Sequence, residues 1–434
     1  MLFDNQTINS KGHLEINGCD TVELAREFGT PLYVMDEDML RSNCRRYVQA
    51  FKSEYPEADV AYASKAFTLV GMCRLVREEG MWLDAASQGE LYTAILAGCE
   101  PVKILLHGNF KTEAELSDAV RYGVKVVCDS FMEIEQLAEK SRKAGKKTQV
   151  LVRCNPGVNP HTHTMIATGQ EDSKFGFNIK SGEAMEAIRK VLAKDSLVFK
   201  GIHSHIGSQL LDAEPFRAVA PVVADFCAAI LGETGAAPEY MDLGGGLGVR
   251  YTEEDKPLSI EAFAAIVTDG VKKAFSSRSV PLPHLLVEPG RSIVAEAGTT
   301  LYTVGLPKQV SLAEEPFSRI YVPVDGGLSD NPRPALYDAK YTAMIANRAD
   351  RPKDTLCTVS GRHCETDCLF ADILLQKAEW GDIMAVQTTG AYGHSMASNY
   401  NRFMRPAVVF VSGGSARLVS RRETLEDLVK CDVI

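Results

Sequence analysis

Short apolar runs alternate with longer amphipathic stretches from about residue 35 to residue 295. Stretches such as GELYTAILAG and SFMEIEQLAEKSRKAG repeat apolar residues every three to four positions, which is the helical period. The apolar runs have the length and composition of buried strands, and there are eight of them: DVAYASK (59–65), WLDAAS (82–87), KILLHG (103–108), KVVCDS (125–130), QVLVRCN (149–155), FKGIHSHIG (199–207), EYMDLGGG (239–246) and LLVEPGR (285–291). Eight strands that each precede a helix-length segment predict an α/β fold, a (β/α)8 TIM-type barrel.

The carboxyl end of nearly every run carries polar residues or glycine. These are Lys65, Asp84, His107, Asp129, Arg153, His203 with His205, a glycine triplet, and Glu288 with Arg291. In such barrels the active site lies at the carboxyl ends of the strands. A doubly wound open sheet is the competing architecture, but it would not distribute polar residues so evenly around eight strands. The pattern therefore predicts a functional site at one mouth of the barrel.

The pattern changes after about residue 296. Runs such as TTLYTVG, RIYVPVD and DTLCTVSG are rich in β-branched and aromatic residues and are separated by Gly, Pro and Asp, which predicts a mainly β domain, a β-barrel or sandwich. The first 34 residues hold one strand-like stretch, HLEING, before the helical pattern TVELAREFG. We therefore expect an N-terminal segment (1–34) that packs with the β domain, a barrel (35–295) and a C-terminal β domain (296–434).

Charge and composition exclude several classes of protein. Apolar residues make up 45% of the 434 residues and charged residues 24%, as in soluble globular proteins. The formal net charge of −10 argues against a nucleic-acid partner and against binding to an anionic membrane surface. The polar N-terminus predicts neither a signal peptide nor a transmembrane span, so we expect a cytoplasmic protein.

The cysteines indicate neither disulfides nor a structural zinc site. There are 11, an odd number, and they are scattered singly through apolar runs. Cys364 and Cys368 approach a zinc-ligand spacing, but no second pair lies nearby. We expect mostly buried thiols in a reducing compartment and no metal.

Two motifs at run ends suit imine formation and phosphate binding, respectively. Lys65, in AYASKAF, would lie in the barrel mouth, where desolvation lowers the pKa of an amine and favours imine formation; the alternative is a solvent-exposed lysine. Gly244, Gly245 and Gly246, in MDLGGGLG, let the backbone approach a phosphate late in the barrel; the alternative is a tight turn.

Three further motifs are less specific. In VEPGRS, Glu288 could keep a pyridine nitrogen of a cofactor protonated, or simply pair with Arg291. The two histidines of GIHSHIGSQ lie on one face of a strand and could bind a metal or stack on a flat ring. The loops GRHCETDCLF and TTGAYGHSMASNYN offer a proton donor and substrate contacts.

Together these motifs resemble the fold-type III pyridoxal-phosphate-dependent decarboxylases, which have an alanine racemase-like barrel. The resemblance runs from TPLYVMDEDMLR near residue 30 to NRFMRPAVVF and RRETLEDL near the C-terminus, with the motifs in the right order. HTHTMIATGQEDSKFGF (161–177) is similar to the branch that acts on diaminopimelate rather than on ornithine or arginine.

The resemblance implies a role for each motif. Lys65 holds the cofactor as an imine, His205 stacks on its ring, and Glu288 pairs with the ring nitrogen. Cys364 is the proton donor. The implied cofactor-binding residues are Lys65, His205, Ser208, Gly244, Gly245, Gly246, Glu288, Pro289, Gly290, Arg291 and Tyr392. The implied substrate-binding residues are Arg291, Arg333, Tyr337, Glu365 and Tyr392. The resemblance also implies a homodimer in which Cys364 and Glu365 reach into the partner's barrel.

The implied activity is decarboxylation of meso-2,6-diaminopimelate to L-lysine and CO2, the last step of lysine biosynthesis. A decarboxylase of lysine, ornithine or arginine would want an acidic pocket for the distal amine rather than Arg291 and Arg333. An alanine-type racemase would prefer an arginine at the ring nitrogen, against which Glu288 argues. A non-catalytic cofactor-binding barrel of this family would lack the β domain.

One loop departs from the family pattern. The family usually has Cys-Glu-Ser-x-Asp, whereas this chain has Cys-Glu-Thr-Asp-Cys. Cys364 and Glu365 are kept, but the acid comes one place early, at Asp367, and Cys368 takes its usual position.

Overall fold

The computed structural model describes residues 2–158, 173–311 and 318–433. Residues 161–172 of the motif HTHTMIATGQEDSKFGF, with His161 and His163, lie outside the described residues. The chain divides into two compact units. One comprises Met1–Ser42, Arg250–Asp255 and Ile293–Ile434, and we call it the β unit; the other comprises Asn43–Val249 and Lys256–Ser292, and we call it the barrel unit.

The N-terminal part of the chain forms a small sheet, a longer strand and two helices. Its elements are β1 (Gln6–Ile8), β2 (Leu14–Ile16), β3 (Cys19–Asp20), α1 (Thr21–Phe28), β4 (Leu32–Asp36) and α2 (Glu37–Glu54). Strands β1 to β3 pair antiparallel in sequence order. The side chain of Asp20 caps α1 by accepting from the backbone N–H of Val22, and Gly29, at φ 72°, ends the helix.

The barrel unit alternates strands and helices. In chain order its elements are β5 (Ala58–Ala63), α3 (Val70–Glu78), β6 (Trp82–Ala85), α4 (Gln88–Leu96), β7 (Ile104–Leu106), α5 (Glu113–Tyr122), β8 (Lys125–Cys128), α6 (Phe131–Lys143), β9 (Thr148–Asn155), β10 (Phe177–Asn178), α7 (Glu183–Leu192), β11 (Leu197–His203), α8 (Glu214–Thr234), β12 (Tyr240–Asp242), α9 (Ile260–Ser276), β13 (His284–Val287) and α10 (Arg291–Val294). Short 3-10 turns follow β5, at Ser64–Ala66, and precede β7, at Pro101–Lys103.

The eight predicted strands close into a parallel barrel. The order is β5-β6-β7-β8-β9-β11-β12-β13, and β13 pairs with β5. The barrel prediction is therefore confirmed. Six neighbouring strands, from β13 through β5 to β9, contribute to one buried apolar cluster: Ala61, Trp82, Leu105, Val127, Leu151 and Leu286.

Local sequence signals explain where the barrel helices begin. A serine or threonine side chain caps α4, α5, α6 and α9, and α5 has a full capping box between Thr112 and Glu115. Gly123, in the left-handed conformation, ends α5 and lets the chain turn back into β8. These caps fix the ends of the helices that connect the strands.

The β unit contains the remaining strands. These are β14 (Gly298–Thr303), β15 (Lys308–Ser311), β16 (Ser318–Pro323), β17 (Ala343–Ile345), β18 (Thr355–Ser360), β19 (Cys368–Leu375), β20 (Ile383–Gln387), β21 (Ala407–Ser412) and β22 (Ser415–Ser420), with short helices α11 (Arg333–Tyr337), α12 (Gly393–Met396) and α13 (Leu425–Val429). One sheet has the order β17-β20-β14-β4-β21-β22, and a second has the order β15-β16-β18-β19. The prediction of a mainly β second domain is confirmed.

Strand β4 joins the N-terminal segment to the larger sheet of the β unit. It pairs antiparallel with β14 and parallel with β21. Its residues Leu32 and Val34 are fully buried with Leu301, Ala385 and Val409 in the core of that sheet. The sequence prediction puts a boundary after residue 34, whereas the compact β unit extends to Ser42.

One helix among the described residues, α8, is long and apolar enough to cross a membrane on those two criteria alone. A core helix of a soluble protein meets the same criteria. In the barrel unit, α8 buries Phe216, Val223, Phe226 and Ile230.

Candidate active site

Glu288, directly after β13, is the centre of a buried polar cluster at the carboxyl ends of the barrel strands. Its Oε1 lies 2.8 Å from Nε2 of His107, and its Oε2 lies 3.1 Å from Nε2 of His203. Burial raises the pKa of Glu288, but the two histidines outweigh burial and hold its pKa well below its usual range. Glu288 is therefore an ionised carboxylate that the protein keeps dry.

Two more buried carboxyls lie beside Glu288, and their pKa values move the other way. Burial raises the pKa of Asp84 to about 6, against the charges of His107 and Lys65. Burial and repulsion by Glu288 raise the pKa of Asp242 well above its usual range. Neighbouring acids whose pKa values are driven apart are typical of functional sites.

Lys65 lies next to Asp84, on the 3-10 turn that follows β5. Its Nζ is 4.0 Å from Oδ2 of Asp84, and its side chain is 48% exposed whereas that of Asp84 is 2% exposed. Ser64, the preceding residue, donates to Glu90 at 3.0 Å, and Glu90 also accepts from the backbone of Ala86 at 2.6 Å. These bonds fix the turn, so that the amine is directed by a rigid support.

Pro289 and Gly290 also support this turn. The carbonyl of Pro289 accepts from the backbone N–H of Ala63 at 3.1 Å. A Cβ on Gly290 would lie 3.0 Å from the Cβ of Ala63 and 3.1 Å from that of Ala66, so a larger residue would crowd the turn. Both residues therefore contact the backbone that carries Lys65.

The glycine triplet packs against the ends of the neighbouring strands. A Cβ on Gly244, at φ 66°, would lie 2.6 Å from Nδ1 of His205. A Cβ on Gly245 would overlap the carbonyl oxygen of Glu288, and one on Gly246 would lie 2.6 Å from the carbonyl oxygen of Gly207. The loop therefore needs glycine for close backbone approach. The N–H of Gly244 donates to Oδ1 of Asp242 at 2.8 Å.

His205 and Arg291 complete the polar cluster of the barrel unit. Burial lowers the pKa of His205 well below its usual range, and Lys65 and Arg153 add to the shift, so the ring is neutral. Arg291 donates to Oγ of Ser208 through Nη2 at 3.0 Å. Glu288 therefore pairs with histidines, and Arg291 with a serine.

The described end of the motif 161–177 contacts the barrel near Arg153. Nε of Arg153 lies 3.8 Å from Oδ2 of Asp129, whose Oδ1 accepts from the backbone N–H of Gly176 at 2.7 Å. The guanidinium of Arg153 also lies over the ring of Phe175, at 4.3 Å. Arg153 thus links β9 to this segment.

In the β unit, Arg333 lies between two of the other predicted residues. Its guanidinium carbon is 5.0 Å from the ring centre of Tyr337 and 5.2 Å from that of Tyr392. Tyr392 has φ 61°, a left-handed conformation that costs energy for a bulky residue and is concentrated at functional sites. The structure therefore brings together three residues from two sequence motifs.

Cys364 and Glu365 are exposed on the loop between β18 and β19. Oε1 of Glu365 accepts from the hydroxyl of Tyr400 at 2.5 Å, and the backbone N–H of Cys364 donates to Oδ1 of Asn401 at 3.2 Å. Both partners belong to the motif TTGAYGHSMASNYN, where the sequence singled out Tyr392 alone.

His107, His203 and Glu288 have donor atoms within 4.8 Å of one another and could in principle bind a metal. The 2.8 Å contact between His107 and Glu288 is, however, shorter than the separation of two ligands held about 2.0–2.1 Å from one zinc ion. The His203–Glu288 contact is a hydrogen bond, and the His107–Glu288 contact is a close ion pair. The expectation of no metal stays a prediction.

The chain is similar to known proteins over nearly its whole length. Residues 41–295 match the family model described as pyridoxal-dependent decarboxylase, pyridoxal binding domain. The diaminopimelate decarboxylase of Bacillus subtilis is 46% identical over 427 residues, which cover 98% of this chain and 96% of the relative. That of Mycobacterium tuberculosis is 43% identical and covers 99% and 97%. The chain belongs to the diaminopimelate decarboxylase family.

A solved structure from the diaminopimelate decarboxylase family has the same fold. The enzyme of M. jannaschii, determined in complex with L-lysine, superposes with a TM-score of 0.91 at 36% identity and covers 99% of this chain and 98% of its own. The sequence resemblance is confirmed, and with it the class of the protein: a pyridoxal-phosphate-dependent lyase.

The residues at the barrel mouth fit pyridoxal phosphate, the cofactor of the diaminopimelate decarboxylases. The carbonyl of the cofactor requires an amine, which the half-exposed Lys65 offers on a rigid turn. The ring nitrogen requires a buried, ionised carboxylate, and the phosphate requires a loop that tolerates only glycine. Lys65, Glu288 and the 244–246 loop could hold it, with His205, Ser208 and Arg291.

Sequence reasoning missed one residue of the cluster in the barrel unit and one buried polar residue of the β unit. Asp242 precedes the glycine triplet in MDLGGGLG, and its position at a strand end was the available signal. Asn331, in the segment SDNPRPALY, is 3% exposed, and neither polar atom of its side chain has a hydrogen-bond partner among the described residues. No sequence pattern distinguishes such a residue from an ordinary turn asparagine.

Proposed function

We propose that this chain decarboxylates meso-2,6-diaminopimelate to L-lysine and CO2, the last step of lysine biosynthesis. The observation that carries the chemistry is the position of Lys65 beside Asp84, at the edge of a buried polar cluster in which two histidines keep Glu288 ionised. Pyridoxal phosphate, when bound, supplies a conjugated ring that takes up the electron pair left as CO2 departs.

Glu288 serves the ring end of the site. An ionised, buried carboxylate holds a proton on a neighbouring ring nitrogen far better than a hydrated one, because water does not compete for it. His203 is neutral, since burial lowers its pKa to about 3, and it donates its Nε2 hydrogen to Glu288. Asp242 keeps its own proton and so adds no second negative charge beside Glu288.

The other cofactor contacts come from the same strand ends. Lys65 would hold the cofactor through its amine. His205 offers a neutral flat ring for stacking, and Tyr392 closes the site. Ser208, Arg291 and the backbone of the 244–246 loop bind the phosphate, as the hydrogen bond between Arg291 and Ser208 supports.

We propose that the substrate end suits a second carboxylate rather than a distal amine. Diaminopimelate carries a second carboxylate far from the reacting carbon, and a guanidinium fits a carboxylate with two parallel hydrogen bonds. Arg333, with Arg291, Tyr337, Glu365 and Tyr392, is proposed to hold this distal group. The Sγ of Cys364 gives its proton to the carbon that has lost CO2.

We also propose a cytoplasmic homodimer in which Cys364 and Glu365 act in the partner's barrel. Mixing tests this arrangement. Lys65→Ala and Cys364→Ala chains are each inactive, but a mixed dimer has one complete site. Random exchange of equal amounts therefore restores about a quarter of wild-type activity. No recovery despite proven exchange of subunits would contradict shared sites.

Parallel assays of four amino acids test the activity itself. Purified holoenzyme is incubated with meso-diaminopimelate, lysine, ornithine and arginine in parallel, and CO2 release is measured. We expect turnover of diaminopimelate alone, with loss of at least about 1,000-fold in Lys65→Ala. Lys103→Ala is the control, because the Lys103 side chain is 40% exposed in the same unit. Turnover of another amino acid instead would show that diaminopimelate is not the substrate. The absence of any turnover would overturn the proposal.

A further inference from the structure

The loop that departs from the family pattern is tightly organised around its early acid, Asp367. Its Oδ1 accepts from the backbone N–H of Leu328 at 3.0 Å. Its Oδ2 accepts from the backbone N–H of His363 at 3.2 Å and makes a short hydrogen bond with Nδ1 of the same residue. The side chain of Asp367 is 5% exposed and that of His363 is fully buried.

Two glycines make room for this carboxylate. A Cβ on Gly327 or on Gly361 would overlap Oδ2 of Asp367. The backbone N–H of Gly361 also donates to the carbonyl of Asp367 at 2.8 Å. Asp367 therefore fills a site that neither a longer side chain nor larger neighbours would allow.

His363 extends the connection to the segment that leads into α11. Its Nε2 lies 3.2 Å from the backbone nitrogen of Ser329, which can only donate. Nε2 must therefore be unprotonated, and Nδ1 carries the hydrogen that Asp367 accepts. The Asp367–His363 pair thus joins the Cys364 loop to the chain four residues before Arg333.

The same pair supports the loop from its other side. The ring of Tyr400 stacks on His363 at 5.9 Å with an interplanar angle of 9°, and its hydroxyl holds Glu365. Phe403 contacts His363 edge-on at 4.8 Å. Cys368, in the usual position of the family's acid, begins β19 and pairs with Ser360.

We propose that Asp367 and His363 are positioning residues, which fix the loop that presents Cys364 and Glu365 to the partner's barrel and anchor this loop to the segment before Arg333. This inference rests on the proposed function, since that function makes these three side chains the ones that meet the substrate. The early acid replaces the family's usual one by reaching inward between two glycines and using a histidine as a second contact.

The test uses holoenzyme with Asp367→Asn, which keeps the shape but offers one acceptor oxygen where three N–H groups now donate. We expect kcat/KM for diaminopimelate to fall about 10- to 100-fold, through both KM and kcat, while cofactor absorbance stays unchanged. Asp367→Glu behaves similarly, because its extra methylene does not fit between the glycines. Asp372→Asn, exposed in β19, is the control and keeps wild-type constants.

A second readout does not depend on turnover. In protein labelled with ¹⁵N-histidine, His363 gives the signals of the Nδ1–H tautomer, assigned through His363→Gln. Asp367→Asn changes these signals, and His363→Asn, which keeps a donor near the Nδ1 position, retains more activity than His363→Ala. Changed signals with kcat and KM within twofold of wild type would overturn the proposal, as would an Nε2–H tautomer. An inactive wild type with the expected tautomer would overturn the proposed function instead.

Discussion

The barrel mouth and the Asp367–His363 pair are both buried and polar, but they satisfy their hydrogen bonds to different degrees. At the barrel mouth, Oδ1 of Asp84, Nδ1 of His203 and Oγ of Ser204 have no hydrogen-bond partner among the described residues. In the β unit, by contrast, both oxygens of Asp367 and both ring nitrogens of His363 are bonded.

This difference indicates that the barrel mouth binds a ligand and that the Asp367–His363 pair holds a loop in place. Leaving a buried polar atom unpaired costs about 1–3 kcal/mol, so a protein keeps such atoms where a ligand completes them. A fully satisfied network stabilises a single geometry and is suited to holding loops in place. Substitutions at the barrel mouth should therefore change the rate of the chemical step. Those around Asp367 should change the position of the Cys364 loop.

The largest effect is expected at Glu288. In Glu288→Gln the amide cannot hold a proton on a ring nitrogen, so kcat should fall about 100- to 1,000-fold while the fold is kept. Steady-state CO2 release with circular dichroism measures both. Glu239→Gln, at the opposite end of the barrel strands, is the control. A loss below tenfold would mean that Glu288 is not the ring partner.

The buried carboxylate of Asp84 should lower the free energy of unfolding at neutral pH. Because folding raises its pKa from 3.8 to about 6, the folded state binds this proton more tightly than the unfolded chain does. Stability of the cofactor-free protein is therefore lost as pH rises through that window. At pH 7, Asp84→Asn should raise the free energy of unfolding by up to about 3 kcal/mol, a gain that disappears below the unfolded-state pKa. Urea unfolding of wild type and Asp84→Asn, at pH 7 and at a pH below 3.8, measures this gain in the free energy of unfolding. An equal gain at the two pH values would contradict the electrostatic cause.

Arg333→Lys should weaken substrate binding. Lysine keeps the charge but loses the planar fork and its contact with Tyr337 and Tyr392, so KM for diaminopimelate should rise about 10- to 50-fold. Arg351→Lys, whose side chain is 72% exposed, is the matched control. An unchanged KM would remove Arg333 from the substrate site.

The smallest effect is expected from Gly361→Ala. The added methyl overlaps Asp367, so we expect about 1–3 kcal/mol of destabilisation together with a raised KM. Gly232→Ala, in α8, places its methyl in open space and should not destabilise the protein. Thermal unfolding compares the two. Equal behaviour would mean that the pocket around Asp367 is not tight.

The sequence predicted features that depend on neighbouring residues in the chain. It missed contacts between residues that are far apart in the chain and close only in the fold. The eight runs, Lys65 and Glu288 were recognisable because apolar periodicity and strand-end polarity are local signals. The pairing of Glu288 with His107 joins β7 to β13, and no spacing in the chain shows it. The same holds for Asp367, whose partner Leu328 is 39 residues away.

Trapping the cofactor tests most directly that the barrel mouth at Lys65 is the active site. The holoenzyme is reduced with borohydride, digested, and mapped by mass spectrometry. We predict one pyridoxyl group per chain, on the peptide that contains Lys65, and none in Lys65→Ala. A group on another lysine of the barrel unit, such as Lys111 or Lys125, would contradict the assignment, as would a protein that takes up no cofactor.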